Sequence, residues 1–445
     1  MNEPKKTKPR QMRGRGDGTA YQTKDGRWRV EIVVGWTPEG KPKRKVIYGK
    51  TKVEANAKRR AAVADQAKGI LIAGKVPGLG EWLEYWLDNV AAAKVRPRTL
   101  VGYRSYIKNW ITGRPIARIA LDKLTAEDLE RVYVEMRAAG RSETTVSQLH
   151  RILSRALKVA LQRGRVPFNA ATRLDAPAPA AFSPDVLTVD DAKNLIHAAT
   201  TAPDGARWMV ALALGPRQGE RLALGWDRMN LDTGVMRIDR ELFRLPWNHG
   251  CPPGADGGPS CGRHTRSCPA KHGGGLFIGE PKSAAGKRDV PLPAEIIEPL
   301  RQHKAEQERI RIEEGDNWAP FTSANGITVD LVFCQRNGKA LQARKDHDEW
   351  RQFLRDAGVP EVRLHDARHT AATVLLLLGV DGRIVMEIMG WSQMSMLKRY
   401  QHVLDEMKRE AAAAVGAKLW ATSGPAPAAV ANVVSVDFAT RKRTS

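Results

Sequence analysis

At 445 residues, with 72 Lys and Arg against 49 Asp and Glu, the chain is too long for one ordinary core and carries a net charge of +23, which points to a polyanionic partner. No run of 18 apolar residues is present to cross a bilayer, and the opening MNEPKKTKPRQMRGRG lacks the apolar segment of a secretory signal, so a cytoplasmic protein with no membrane partner is expected. Four cysteines in this length do not make a disulfide scaffold.

The charge is uneven: residues 1–75 hold 20 basic and 7 acidic residues, +13 of the +23. Residues 1–18, polar and rich in Gly and Pro, read as a disordered basic arm. From Thr19 to about residue 70 a small domain is expected. A short strand runs to Tyr21, Asp25-Gly26 turns, and Trp28, Val30, Ile32 and Val34 alternate on one face of a second strand. A third strand covers Arg44 to Tyr48, and Thr51-Lys52-Val53-Glu54 opens a helix to about Lys68. Such a sheet, carrying Arg27, Arg29, Lys43, Arg44 and Lys45, suits a basic face laid into a DNA groove; a solvated charged face is the bland alternative.

Residues 79–171 read as an all-helical basic domain. Trp82, Tyr85, Trp86 and Val90 recur at helical spacing as core, and helices follow over Pro97 to Trp110, Thr125 to Ala139 and Ser142 to Arg163. The last turns Val146, Leu149, Leu153, Ala156, Leu157 and Ala160 inward, with His150, Arg151, Arg155 and Lys158 on other faces. An Ala- and Pro-rich linker spans 172–186, a third domain spans 187–414, and residues 415–445 form a flexible tail.

Three short stretches of the third domain carry chemistry. In Gly215-Pro216-Arg217-Gln218-Gly219-Glu220, Arg217 and Glu220 are i, i+3 at a helix start. Pro281-Lys282-Ser283, followed by a Gly-containing turn and Arg288-Asp289-Val290-Pro291, reads as a β-hairpin with Lys282 near its tip. In LHDARHT, His365 and Arg368 lie beside an apolar stripe of Ala367, Ala371, Val374, Leu375 and Leu378; Trp391 and Tyr400 follow.

Taken together and in this order, Arg217, Lys282, His365, Arg368, Trp391 and Tyr400 resemble the tyrosine recombinases, specifically phage or mobile-element integrases. The resemblance runs from about Thr19 to His402. It implies a multidomain, mainly α fold with small β-sheets: an N-terminal three-stranded sheet plus helix that binds arm DNA, a helical core-binding domain, and a mixed α+β catalytic domain. It implies a site-specific recombinase, bacterial or phage-encoded, that integrates a mobile element into double-stranded DNA at attachment sites, as a homotetramer in the cytoplasm, with an excision-directing accessory protein.

Tyr400 is then the nucleophile, Arg217 and Arg368 the phosphate clamps, Lys282 the acid for the leaving group, and His365 a phosphate ligand or proton-transfer aid. Glu220 orients Arg217 and His365. Trp391 stands where the family more often has His, and it cannot exchange a proton as imidazole does. No cofactor is required. The rival is a catalytically inactive DNA-binding protein of the same fold, against which the full set of site residues argues.

An insertion at 247–275 holds His249, Cys251, Cys261, His264, Cys268 and His272. A structural zinc on Cys251, Cys261 and Cys268 with His264 or His272, reduced thiols on a loop, and a disulfide all stay open. Cys334, in an apolar run, reads as a small buried residue.

Overall fold

The computed structural model describes residues 20–36, 40–67, 76–179, 187–254 and 258–400, with 409, 412, 413 and 415. The arm expected over 1–18, the second half of the linker and the tail after residue 415 lie outside the described residues. The chain divides into two compact units, Met1–Phe182 and Ser183–Ser445. No helix among the described residues is long and apolar enough to cross a membrane.

In the first unit β1 (Tyr21–Gln22), β2 (Trp28–Trp36) and β3 (Pro42–Gly49) form an antiparallel sheet in that order, followed by α1 (Lys52–Ala67). Alternation sets the packing: Val30 and Ile32 are buried, as are Ala55 and Ala62 of α1. The register pairs Val33 with Arg44 and Ile32 with Lys45. Cross-strand partners share a face, so Arg29, Glu31 and Arg44 lie on the open side and Lys45 on the side of Val30 and Ile32. The expected single basic face is therefore divided. The side chain of Lys43 lies outside the described residues.

The helical part holds α2 (Leu79–Trp86), which runs on through a π turn at Leu87–Ala91, then α3 (Pro97–Trp110), α4 (Ala126–Ala138) and α5 (Glu143–Gln162). Thr125 and Asp128 form a capping box on α4, and Ser142 caps α5. The inward residues expected of α5 are all buried against Trp82, Trp86 and their neighbours. His150 departs from expectation: it is buried too, its Nδ1 3.2 Å from the Tyr133 hydroxyl, because that hydrogen bond satisfies it within the core.

The second unit orders α6 (Val189–Ala199), α7 (Gly205–Leu214), α8 (Gln218–Leu222), β4 (Met229–Asn230), β5 (Val235–Ile238), β6 (Glu241–Leu245), β7 (Gly275–Gly279), β8 (Arg288–Pro291) and α9 (Ala294–Glu314). β9 (Phe321–Thr322), β10 (Thr328–Val329), α10 (Ala343–Asp356), α11 (Leu364–Leu377) and α12 (Gly382–Met389) complete it. The core centres on Trp208, Trp350 and Phe353, whose ring centroids lie 5.4–6.0 Å apart. Beside it a fully buried Asp346 binds Arg221 at 2.8 Å and Gln218 at 2.8 Å, fixing α8 to α10.

Two expectations fail here. β7 and β8 do not pair as a hairpin: β7 pairs with β6, and β8 with β5 in the sheet β4-β5-β8. Lys282 accordingly sits in a crossing, residues 280–287, between two ladders. On α11, Leu378 is 75 % exposed past the helix end, and Leu376 takes the inward place.

Candidate active site

Two helix ends organise the site. α7 stops at Gly215 (φ 58°) and α12 at Gly390 (φ 62°), both in the left-handed region. A Cβ on Gly390 would come within 2.7 Å of Arg288 Nη1, so close approach as well as backbone conformation selects glycine there.

The last carbonyls of a helix have no partner within it. At the end of α12 three consecutive ones are met by three arginines from three elements. Arg288 Nε, at the start of β8, donates to Ile388 O at 2.7 Å; Arg368 Nη2, on α11, donates to Met389 O; Arg217 Nη2, at the start of α8, donates to Gly390 O at 3.3 Å. Arg368 also donates through Nη1 to Gly215 O at 2.6 Å. These cations face the negative end of the α12 dipole.

Glu220 closes the cage. Its Oε1 accepts from Arg217 Nη1 at 2.6 Å, and its Oε2 from Arg288 Nη2 at 3.0 Å and from the Arg217 amide at 3.0 Å. Burial alone would raise its pKa, yet Arg288 and Arg217 outweigh it and hold the carboxyl below the usual range. The second partner expected of Glu220, beside Arg217, was His365; Arg288 occupies that role. Burial, then the charge of Arg217, pulls the Arg368 guanidinium down to about 9, so it remains a cation at neutral pH.

The cage has a wet side and a dry side. His365 is exposed at the start of α11, the Arg217 side chain is 33 % exposed, and Lys282 is exposed on its crossing. Although open at its edge, His365 is pulled below its ordinary pKa, first by desolvation and then by Arg368, so it is neutral at pH 7. Arg368, Glu220, Trp391 and Tyr400 are buried. The Tyr400 ring stacks on Trp391 (5.5 Å, 24°), over whose indole Arg368 Cζ lies at 5.8 Å.

The Tyr400 hydroxyl meets His369 Nδ1 at 2.5 Å, and His369 stands edge-on to His365 at 5.3 Å. The two histidines are i, i+4 on α11 and so share a face. They make a ring ladder from solvent to the phenol.

A sequence profile of the Phage integrase family matches residues 277–407. An integrase of Saccharopolyspora erythraea is 34 % identical over 435 residues, covering 92 % of this chain and 98 % of its own. The chain belongs to the phage integrase family of tyrosine recombinases. A XerC-like tyrosine recombinase of Caldanaerobacter subterraneus is 25 % identical, covering 86 % of this chain and 94 % of its own. The Tn1549 transposon integrase, solved with transposon right end DNA, shares the fold at TM-score 0.58 and 17 % identity, over 75 % of this chain and 99 % of that one. The recombinase is thus an enzyme of site-specific recombination, mostly helical with small antiparallel sheets.

Within the recombinase, Arg217, Arg368, Glu220, Trp391 and Tyr400 converge, with His365 at the rim. The 280–287 crossing reaches the same place, since the space beside Gly390 Cα is bounded by Ala285 O at 2.9 Å as well as by Arg288. Two participants escaped the motif reading. His369 follows Arg368 directly, and its i, i+4 spacing from His365 was the available signal. Arg288 had none, being one more basic residue before a strand.

In the insertion, the histidine beside the three thiols is His249, not His264 or His272. His264 Nδ1 instead accepts from the Arg266 amide at 3.2 Å, and His272 is an exposed residue whose backbone pairs with Asn248. Cys334 is half-buried, takes a hydrogen bond from Gln307 Nε2 at 3.0 Å, and is pushed up to about 11 by burial.

Proposed function

We propose that this recombinase is a DNA integrase that cuts and rejoins strands through a 3′-phosphotyrosyl intermediate. The observation that carries the reading is the cage of Arg217, Arg288 and Arg368 on the end of α12, beside a phenol held by His369. Tyr400 Oη attacks the scissile phosphorus and passes its proton to His369; the bond from phosphorus to the 5′-oxygen breaks, and Lys282 protonates that oxygen. Attack by a 5′-hydroxyl of the partner duplex reverses these steps and frees Tyr400. One phosphoester replaces another, so the exchange requires no nucleotide cofactor.

Arg217, the most open of the arginines, meets the phosphate first, with His365 beside it. Arg368 stabilises the charge of the pentacoordinate state from the dry side. The indole of Trp391 holds the tyrosine ring and exchanges no proton. Because Tyr400 is fully buried, the residues over it must open before a phosphate can reach its hydroxyl; DNA binding and subunit assembly supply that step.

The division of labour follows. Residues 19–70 bind arm DNA through Arg27, Arg29, Lys43 and Arg44, with Lys45 at the margin, residues 79–171 bind the core site, and residues 187–414 carry the catalysis. The enzyme works in the cytoplasm as a homotetramer on two duplexes, integrating a mobile element and, with an accessory protein, excising it. Relatives named integrases and a Tn1549 integrase solved on transposon DNA support this reading.

A duplex nicked next to the scissile phosphate tests it. The intact protein traps covalently on this DNA, and Tyr400→Phe binds the DNA without trapping. Trapping by the Phe variant would remove Tyr400 from the role, and no trapping by either would favour the inactive DNA-binding alternative.

A further inference from the structure

The insert between β6 and β7 is used by none of the chemistry above, and its described residues form no apolar core to hold it. Of the described residues in 246–274, only Cys268 and Gly274 are buried. Backbone bridges join Asn248 to His272 and Pro253 to Pro259. Yet four ligand atoms from three parts of the loop, those of His249, Cys251, Cys261 and Cys268, lie within 4.8 Å of one another. We propose that these four side chains bind one zinc ion, which folds the insert into a knob on the β6–β7 ribbon.

Four of the six distances between ligand atoms are those of a coordination shell, and the other two stay within 4.8 Å. Zn–S bonds of about 2.3 Å and a Zn–N bond of about 2.0 Å in a tetrahedron put sulfurs about 3.8 Å apart and nitrogen about 3.5 Å from sulfur. Cys251 Sγ is 3.5 Å from Cys261 Sγ and 3.8 Å from Cys268 Sγ; His249 Nδ1 is 3.8 Å from Cys251 Sγ and 3.6 Å from Cys261 Sγ. A disulfide brings its sulfurs to about 2.05 Å, and it would leave the third thiol and the imidazole unexplained.

A neighbouring hydroxyl orients the histidine for a metal. His249 Nε2 lies 3.0 Å from Thr265 Oγ1. A proton donated there from Nε2 leaves the Nδ1 lone pair facing the sulfurs, the orientation that ligating histidines receive from their outer hydrogen bond. A loop without apolar burial gains its folding free energy from such an ion.

The inference stands independently of the recombination reading, and the full-length protein tests it. Purified without chelator, it should carry one zinc per chain by elemental analysis, and Cys334→Ser, His264→Ala and His272→Ala should keep it. Cys251→Ser, Cys268→Ser and His249→Ala should each lose most of it. Cobalt(II) loaded into the stripped protein should give intense sulfur-to-metal absorption that Cys268→Ser removes. Chelator should open residues 246–274 to protease, and zinc should close them again; this readout stands even where a variant folds poorly. A zinc-free protein whose thiols all react freely, one whose mass reports a disulfide, or zinc retained in both Cys251→Ser and Cys268→Ser would overturn the site. Loss of zinc in His272→Ala with retention in His249→Ala would overturn the ligand set.

Discussion

On the open face of the N-terminal sheet, the side chains of Arg29 and Arg44 are 31 % and 58 % exposed and share Glu31 at 2.5 and 3.2 Å. Around the end of α12, Arg368 is 3 % exposed and the Arg288 side chain 6 %, and both end on backbone carbonyls. The residue type is the same and the physics differs. Surface ion pairs contribute about 0–1 kcal/mol each and yield to salt, so the sheet arginines can exchange Glu31 for a phosphate at small cost. The caged arginines cannot leave without stranding helix carbonyls and a buried carboxylate. Adjustable binding belongs to the first setting and fixed transition-state geometry to the second.

The largest effect is expected where the cage is broken without removing its charge. Arg368→Lys keeps a cation but cannot reach Gly215 O and Met389 O together while facing a phosphate. Covalent trapping on nicked DNA should slow by at least about 100-fold, the cost of losing one transition-state donor. Arg29→Ala in the same assay should change the rate by less than about 2-fold. Comparable losses in the two variants would erase the distinction between the regions.

Glu220→Gln should come next, through stability. Its carboxylate serves two arginines at 1 % side-chain exposure, and breaking a buried pair from one side costs about 3–5 kcal/mol. A chemical-denaturation midpoint checks this, with Glu31→Gln as the exposed counterpart, expected to shift by less than about 1 kcal/mol. Equal shifts would mean that burial is not what separates the two carboxylates.

The acid side of the stability curve gives a smaller signal. His365 has a folded pKa below its ordinary 6.5, so in that interval the unfolded chain binds the extra proton; stability is full above pH 6.5 and declines as pH falls below it. Glu220, held below 4.5, adds a second decline below that pH. His365→Gln should flatten the first limb and spare the second, as read from melting temperatures across pH 4–8 at constant ionic strength. A first limb unchanged in the variant would assign it to another group.

What the sequence displayed depends on how far a partner lies along the chain. Arg217 and Glu220 are an i, i+3 pair at a helix start, and their mutual hydrogen bonds follow from that spacing. Arg288 meets Glu220 across 68 positions and Ile388 across 100, which no local pattern encodes. The mispaired hairpin has the same origin: two apolar runs around a turn imply neighbours, but β6 finds β7 only across the insertion. His369 finds its hydrogen-bond partner, Tyr400, 31 positions on, beyond the reach of a local pattern. The helices of the first unit were visible because their caps and apolar stripes are local, and His150 was misjudged because Tyr133 is not.

The gentlest prediction returns to the sheet. If Glu31 holds Arg29 and Arg44 in reserve, Glu31→Gln should release both to phosphates and change nothing in the cage. Each added phosphate contact steepens the plot of log affinity against log salt by about 0.9, so binding of the full-length variant to a short random-sequence duplex should gain about 1–2 in slope and tighten several-fold at low salt. Arg44→Ala should leave the slope close to that of the parent, and the double variant, in which only Arg29 is released, should gain about 0.9. An unchanged slope in Glu31→Gln would show that these arginines already sit on DNA with Glu31 in place, or never reach it. Arg44→Ala separates those cases, because only an arginine already on DNA flattens the slope when removed.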